Sequence, residues 1–469
     1  MGLWNIKEIK SALQNNFIKV GNNYNIEEVL IDSRKKTNNG LFIAIKGKNN
    51  DGHNFLKQAF NNGATAAIVE NKSEFKNDPR LILVKNSFEA LKQLGIYSSS
   101  RFKGKKIAIT GSVGKTSIKE MLKAVFSTQG KTFATIGNLN NHFGLPLSLS
   151  NLPEDYDYGI FEMGMNHLGE ITPLSKMTKP DIAIISNVVS AHIGNFNNEK
   201  EIALAKSEIF SGVTENGFAI INNDNKYHDY LRSRAIINGI NSKNIINFGY
   251  KKGSNIQLNS SQSRNNFTSE VNVTINLQNV VNKKVIYSVN SINQTIVNNS
   301  LISIAALQII GKNFNSGLKA LNELQTPKGR GNIIKINHNG INITIIDDSY
   351  NANSTSMIAG LNFLSDLKDK NTNSRTIAII GDMLELGKEA VSEHEKLAEY
   401  INKNNIDQVF LVGELMQNLI KKLKKEKIAG NFKNSEDLAK ELPSFIKQND
   451  ILLIKGSRGM AMERSINKL

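Results

Sequence analysis

Ile107-Ala108-Ile109-Thr110-Gly111-Ser112-Val113-Gly114-Lys115-Thr116-Ser117 is a short apolar run that breaks into a glycine-spaced turn, followed by a helix-like stretch from Ile118 to Phe126. The apolar residues read as a buried strand. The small residues after it let successive backbone N–H groups converge on anionic oxygens at the positive end of the next helix. Lys115 adds a mobile cation, and the Thr116 hydroxyl is placed to hold a magnesium ion. Gly111, Ser112, Val113, Gly114, Lys115, Thr116 and Ser117 are therefore the candidate phosphate-binding residues. The general pattern has another glycine five positions before Gly114, where this chain has Ile109. Turn chemistry alone explains a strand-to-helix junction but not Gly-Lys-Thr placed on it.

A chain of 469 residues is too long for one ordinary core, and about 150 residues per domain predicts three. Hydrophobic residues make up 40% and charged residues 21% of the chain, as in folded soluble proteins. No apolar run is long enough to span a bilayer, so membrane insertion is not expected. Met1-Gly2-Leu3-Trp4-Asn5-Ile6-Lys7-Glu8 lacks the basic and then apolar blocks of a signal peptide, which makes the cytoplasm the expected compartment. With no cysteine, disulfides, thiolate metal sites and a thiol nucleophile are excluded. The net charge of +16 is spread along a chain rich in Lys and Asn. Its densest run, Lys421-Lys422-Leu423-Lys424-Lys425-Glu426-Lys427, reads as the solvated face of a helix, and no nucleic-acid partner is expected. A diffuse positive charge suits anionic small substrates such as nucleotides.

Texture divides the chain at about residues 100 and 325. Residues 1–100 alternate short strands and helices, for example Gly40-Leu41-Phe42-Ile43-Ala44-Ile45 and then Phe55 to Asn61, and read as a small α/β domain. Residues 101–325 contain the phosphate loop and the apolar runs Tyr158-Gly159-Ile160-Phe161 and Asp181-Ile182-Ala183-Ile184-Ile185-Ser186. Such runs alternating with helices imply a parallel sheet covered on both faces. Between about 255 and 297, alternation such as Val271-Asn272-Val273-Thr274-Ile275 predicts an antiparallel excursion. Residues 326–469 return to strand and helix alternation, and strand ends put Asp347-Asp348, Gly381-Asp382 and Lys455-Gly456-Ser457-Arg458 forward as site candidates. Glu162 and His192 each follow a strand of the middle region, as a carboxylate and an imidazole able to ligate magnesium or order phosphates.

The blocks Asp32-Ser33-Arg34, Asp51-Gly52-His53, Thr110 to Thr116, Asn138-Leu139-Asn140-Asn141-His142-Phe143-Gly144-Leu145-Pro146 and Phe161-Glu162-Met163-Gly164-Met165 resemble Mur ligase motifs, in family order. The series continues through Ala205-Lys206-Ser207-Glu208-Ile209, Asp348-Ser349-Tyr350-Asn351-Ala352-Asn353, Gly381 to Gly387 and Lys455 to Met460, so the resemblance runs from residue 32 to 464. The shorter Thr-Gly-Ser-x-Gly-Lys-Thr form of that family accommodates Ile109.

The resemblance implies an N-terminal domain for a uridine-diphosphate substrate, a central P-loop-type ATPase domain and a C-terminal Rossmann-like domain that closes over ATP. The last three blocks resemble the branch of the family that joins D-alanyl-D-alanine to the terminal carboxylate of UDP-N-acetylmuramoyl tripeptide. By that resemblance Lys115 and Thr116 hold the ATP phosphates and one magnesium ion, while Glu162 and His192 help hold a second. Asn299 lies near the adenine, and Arg330 and Asp348 reach ATP from the third domain. Ser33 and Arg34 contact the uridine diphosphate, and Asn140 and Asn141 the shared substrate and phosphate region. Lys206, in the helix-like stretch Glu201 to Phe210 and otherwise an ordinary helix-face residue, matches a lysine that relatives carbamoylate into a magnesium ligand; this requires a lowered lysine pKa, since carbon dioxide attacks only a neutral amine. Thr295 and Ile296 depart from the His-Asn often found before the adenine-side Asn299, and Ser354 from the usual proline after Asn-Ala-Asn. The enzyme is expected to act as a monomer. The competing readings are another Mur-type or folylpolyglutamate-type ligase, and a regulatory NTPase. The latter leaves Asp32-Ser33-Arg34 unexplained, and the Asp-Asn-Pro-Arg of diaminopimelate-adding relatives is absent here.

Overall fold

In a computed structural model the chain is described over residues 2–20, 22–47, 49–70, 78–190, 193–264, 267–277, 280–368 and 374–469. The described residues form three principal sheets, one for each stretch of the chain, with helices on their faces.

The middle sheet has nine strands, and the strand Lys105–Thr110 lies between Ile182–Ile185 and Tyr158–Glu162, parallel to both. Alternate residues of that strand face opposite sides. Ile107 and Ile109, both fully buried, pack with Ile118, Leu122 and Phe126 of the helix Lys115–Ser127 and with Leu301 of the helix Gln294–Ile310. Ala108 joins Phe161, Ile185, Ala203 and Phe210 on the other face. Burying a side chain such as isoleucine contributes about 1.5–3 kcal/mol, so the two layers clamp the strand that ends in the phosphate loop. The chain runs from this strand outward to Thr132–Ala134, back to Tyr158–Glu162, then across to Ile182–Ile185 on the other side. That reversal opens a crevice beyond the carboxyl ends of the strands, where ligands of parallel sheets bind. The Asn-, Ser- and Val-rich stretch folds as the expected antiparallel excursion, with Ile256–Ser263, Ser269–Leu277 and Val280–Val289 extending the same sheet.

In the third stretch Ile341–Asp348, Ile451–Lys455, Thr376–Gly381, Gln408–Val412 and Ile428–Phe432 are parallel neighbours in that order, with Asn332–His338 antiparallel at one edge. The first stretch carries a five-stranded sheet of Phe17–Val20, Leu81–Val84, Ala64–Glu70, Gly40–Ile43 and Glu28–Leu30. Here Asp51-Gly52-His53 is a structural pin. The Glu70 N–H donates to His53 Nε2 at 3.0 Å, which leaves Nδ1 to carry the proton toward Asp51 Oδ1 at 2.6 Å.

Two local expectations are corrected. The basic run 421–427 is not a helix face. The helix Gln417–Ile420 stops before it, and the run turns through a single short 3-10 segment, Lys425–Lys427, with Leu423 buried. In a helix Lys421 would stand beside Lys424 and Lys425, and Lys424 beside Lys427, like-charge pairs that disfavour it, and the buried Leu423 anchors a turn instead. The helix expected from Glu201 to Phe210 runs Glu199–Ser207 and then tightens into the 3-10 segment Glu208–Gly212. There Glu208 accepts from the backbone N–H groups of Gly169, Ile171 and Thr172 at 2.6, 3.1 and 2.9 Å, capping a neighbouring helix.

Candidate active site

The phosphate loop takes its shape from two glycines. Gly111 has φ +151°, and a Cβ there would fall 1.8 Å from Ser186 Oγ; Gly114, the N-cap of the helix Lys115–Ser127, has φ +87°. Both conformations disfavour side chains. The neighbouring strand end braces the loop: Ser112 N–H donates to Asn187 O at 2.9 Å, Ser112 Oγ to Val189 O at 2.9 Å, and Ser186 Oγ to Val113 O at 2.6 Å.

Beyond the loop lies a cleft of about 590 Å³ whose walls come from the second and third stretches. Lys115 is folded back, with Nζ donating to Gly111 O at 2.7 Å. Burial, and then Arg330, push its pKa down against the opposing pull of Glu162. Glu162, at the end of its strand, is buried, and each of its oxygens has a neutral donor. Thr116 Oγ1 donates to Oε2 at 3.0 Å and Asn140 Nδ2 to Oε1 at 2.8 Å. Lys206, on the inward face of the helix Glu199–Ser207, is 2% exposed, and burial together with the Lys115 charge drives its pKa well below that of an ordinary lysine. Among the described residues no carboxylate is paired with it.

The third stretch closes the cleft. Arg330 sits on a turn held by Asp347, whose Oδ2 accepts from Gly329 N–H at 2.9 Å and whose carbonyl accepts from Gly331 N–H at 2.8 Å. Its guanidinium lies 3.9 Å from the Tyr350 ring centre and donates to Thr116 Oγ1 at 3.2 Å, linking the two walls. Asp348 and Lys455 end neighbouring parallel strands as a register pair, and Lys455 Nζ donates to Asp348 Oδ2 at 2.6 Å. Burial raises the Asp348 pKa, and Lys455 opposes the rise. Outside the residues that line the cleft, Gly194 N–H donates to Glu385 O at 3.2 Å, a second tie between the two walls.

The structure thus brings Lys115, Thr116, Asn140, Asn141, Glu162, Lys206, Asn299, Arg330 and Asp348 to one cleft. Asn299 lies against the phosphate loop itself, within 2.9 Å of where a Cβ on Gly114 would stand, and its Nδ2 is buried without a partner. Ser33 and Arg34 do not line this cleft. Ser33 Oγ donates to Gln58 Oε1 at 2.7 Å, while Arg34 forks onto Asp32 at 2.9 and 2.8 Å and holds that carboxyl down at about 2. His192 lies outside the described residues. Sequence reasoning missed Tyr350 as the surface under Arg330, Lys455 as the partner of Asp348, and Ser186 as a brace of the loop. The first two lie inside quoted motifs, while nothing in the sequence pairs Ser186 with Val113.

Profiles of three domains match in succession: "Mur ligase family, catalytic domain" over residues 25–110, "Mur ligase middle domain" over 109–307, and "Mur ligase, glutamate ligase domain" over 329–458. The UDP-N-acetylmuramoyl-tripeptide–D-alanyl-D-alanine ligase of Rickettsia prowazekii (strain Madrid E) is 36% identical over 466 residues, covering 99% of each chain. The chain belongs to the Mur ligase family. Among solved Mur ligase structures, MurF from Acinetobacter baumannii superposes with a TM-score of 0.85 at 28% identity, covering 99% of this chain and 98% of that one. MurF from Thermotoga maritima, solved in complex with ADP, gives 0.78 at 28% identity over 94% and 96%.

Proposed function

We propose that this Mur ligase joins D-alanyl-D-alanine to the terminal carboxylate of UDP-N-acetylmuramoyl tripeptide, with ATP activating the carboxylate as an acyl phosphate. The observation that carries the reading is the juxtaposition, across one cleft, of Lys115, the Thr116–Glu162 pair, Lys206 and Arg330 in a chain that matches ligases of that name from end to end. The ADP complex of the Thermotoga maritima relative supports the nucleotide.

A carboxylate does not react with an amine until one of its oxygens becomes a leaving group. In the first step a terminal oxygen of the tripeptide attacks the γ-phosphorus, the bond from that phosphorus to its bridging oxygen breaks, and ADP departs. Lys115 exchanges its bond to Gly111 O for phosphoryl oxygens, and the loop N–H groups and Arg330 converge on the same charge. In the second step the neutral amine of D-alanyl-D-alanine attacks the acyl carbon, the bond from that carbon to the phosphate oxygen breaks, and the proton shed by nitrogen balances on the departing phosphate. The ties from Arg330 to Thr116 and from Gly194 to Glu385 hold the third domain closed over the mixed anhydride and exclude water. Asn299 contacts the nucleotide, Asp348 orients it, and Asn140 and Asn141 hold the acceptor end. Ser33 and Arg34 serve the distant uridine diphosphate.

The donor set suits magnesium, which takes hard oxygens and completes its sphere with phosphates and water. Thr116 would hold one ion, and Glu162 and His192 would help hold a second, with a carbamoylated Lys206 as a further ligand. Bound there, magnesium would offset the negative charge gathered during transfer. Burial, with the Lys115 charge, lowers the Lys206 pKa well below the ordinary lysine value, in the direction of the neutral amine that carbon dioxide requires. The enzyme is proposed to act as a monomer. No helix among the described residues is long and apolar enough to cross a membrane, and we assign the reaction to the cytoplasm, where peptidoglycan precursors are built. Protein, ATP, magnesium and both substrates, with phosphate release and product mass followed together, test the proposal. Phosphate release indifferent to both substrates would sink it.

A further inference from the structure

Lys119 has no part in the chemistry above, yet it is among the most deeply buried side chains of the molecule, 1% exposed on the helix that follows the phosphate loop. Leu122, one turn further along the same face, is apolar and fully buried. Taking an ammonium out of water costs several kcal/mol unless its protons are answered, so a methionine of similar length would fill the space more cheaply. What the ammonium adds is reach to two backbone carbonyls. Nζ donates to Thr135 O at 2.7 Å and to Gly137 O at 3.3 Å, and it pairs with the half-exposed Glu120 at 3.0 Å.

Those carbonyls begin the loop that carries Asn138, Asn140 and Asn141 into the cleft. At its far end Asn140 Nδ2 donates to Glu162 Oε1 at 2.8 Å and Asn140 O accepts from Gly164 N–H at 2.8 Å. Between the two anchors Ile136 is 65% exposed and a Cβ on Gly137 would meet nothing within 4 Å, while Leu139 packs against the core of the first sheet. Lys119 is the anchor that ties the start of this loop to the same helix that presents Lys115 and Thr116.

We infer that Lys119 is a positioning residue for the transfer reaction: it fixes the asparagine loop relative to the phosphate loop, so that Asn140 meets Glu162 while Glu162 is held by Thr116. This rests on the ligase reading, but the coupling itself can be measured without turnover. In Lys119→Met, hydrogen exchange of peptides spanning 135–141 quickens while that of the helix 115–127 is retained. Turnover falls on the order of 10- to 100-fold, as misplacing a reacting group by about 1 Å does, with the KM for ATP moved less than about threefold. Lys119→Arg, which keeps the donors, recovers part of both. In an Asn140→Ala background, adding Lys119→Met costs at most about twofold more, because the two act through one link. Unchanged exchange at 135–141, or full additivity in the double variant, overturns the inference. If Lys119→Met does not fold, the same two measurements on Lys119→Gln, whose shorter amide falls short of the carbonyls, decide it. If the wild-type chain makes no product, the ligase reading fails and the exchange comparison still judges the coupling.

Discussion

At the amino end of the strand Lys105–Thr110, the buried Lys106 ammonium donates to the Ser99 carbonyl at 2.9 Å and to its hydroxyl at 3.0 Å. Beyond the carboxyl end of the same strand, Lys115 is folded onto its own loop, and Lys206 is buried with no carboxylate paired to it among the described residues. One end of the sheet answers its buried charge with fixed protein atoms, and the other withholds the answer. The Lys115 cation, held only by a carbonyl of its own loop, becomes favourable when an anion arrives, whereas the absence of a counter-charge at Lys206 favours its neutral form. The difference separates charge that holds the fold from charge that is reserved for a ligand.

Removing Lys115 strikes the reserved end hardest. In Lys115→Ala, turnover falls about 10³-fold, the scale of losing a preorganised donor to developing charge. The melting temperature is held or raised, because a desolvated cation is gone. Product formation and thermal unfolding on the same sample check both halves. A fall in stability to match the loss of activity would erase the distinction between the two ends.

Lys455 is the intermediate case, buried at the cleft but answered by Asp348. Lys455→Met strands that carboxylate, and breaking a buried pair from one side costs about 3–5 kcal/mol. Adding Asp348→Asn recovers most of it, as urea unfolding of the wild type and the two variants will register. If the double variant is no more stable than Lys455→Met, the pair is not what holds these strand ends.

Lys206→Ala should lower turnover about 10²-fold with little change in stability, and a short carboxylic acid diffusing into the space should restore part of it. Intact-mass spectra of the wild-type chain in bicarbonate give an independent reading. The modified fraction should rise with pH only up to the depressed pKa of Lys206, well below the ordinary lysine value. A modified fraction still climbing toward ordinary lysine pKa would break the link between burial and reactivity.

Much of this contrast was legible in the chain. Ile107 to Thr110 followed by Gly111 to Ser117 specifies strand, loop and helix through local rules, and period-two alternation around Val271 announces the antiparallel excursion. Glu162 was findable because it ends an apolar run. What stayed hidden was pairing between segments far apart in sequence. Lys455 meets Asp348 across 107 residues, and Arg330 reaches Thr116 across 214. Lys119 and Lys206 sit in helices where a lysine ordinarily faces water, and only the packing around them shows that they do not. Local periodicity carries no information about what lies opposite a helix face, so burial of a charge is the feature a sequence hides best.

Lys106 offers the gentlest test, because it asks whether an answered charge still titrates as a buried one. Burial lowers its pKa from 10.5 to about 8, with Lys179 adding to the fall and Asp181 opposing it. The folded value lies below the unfolded one, so between about 8 and 10.5 the unfolded chain binds more protons, and stability gains with rising pH. Below pH 8 the full cost of the buried cation is in place. The free energy of unfolding, compared with that of Lys106→Met, should therefore rise across this window by on the order of 2 kcal/mol and be flat between pH 6 and 7. Because other groups titrate identically in the two proteins, the difference isolates Lys106. A flat difference through pH 10 would mean that the Ser99 carbonyl and hydroxyl answer the charge as fully as water does, and the contrast between the two ends of the strand would then be sharper still.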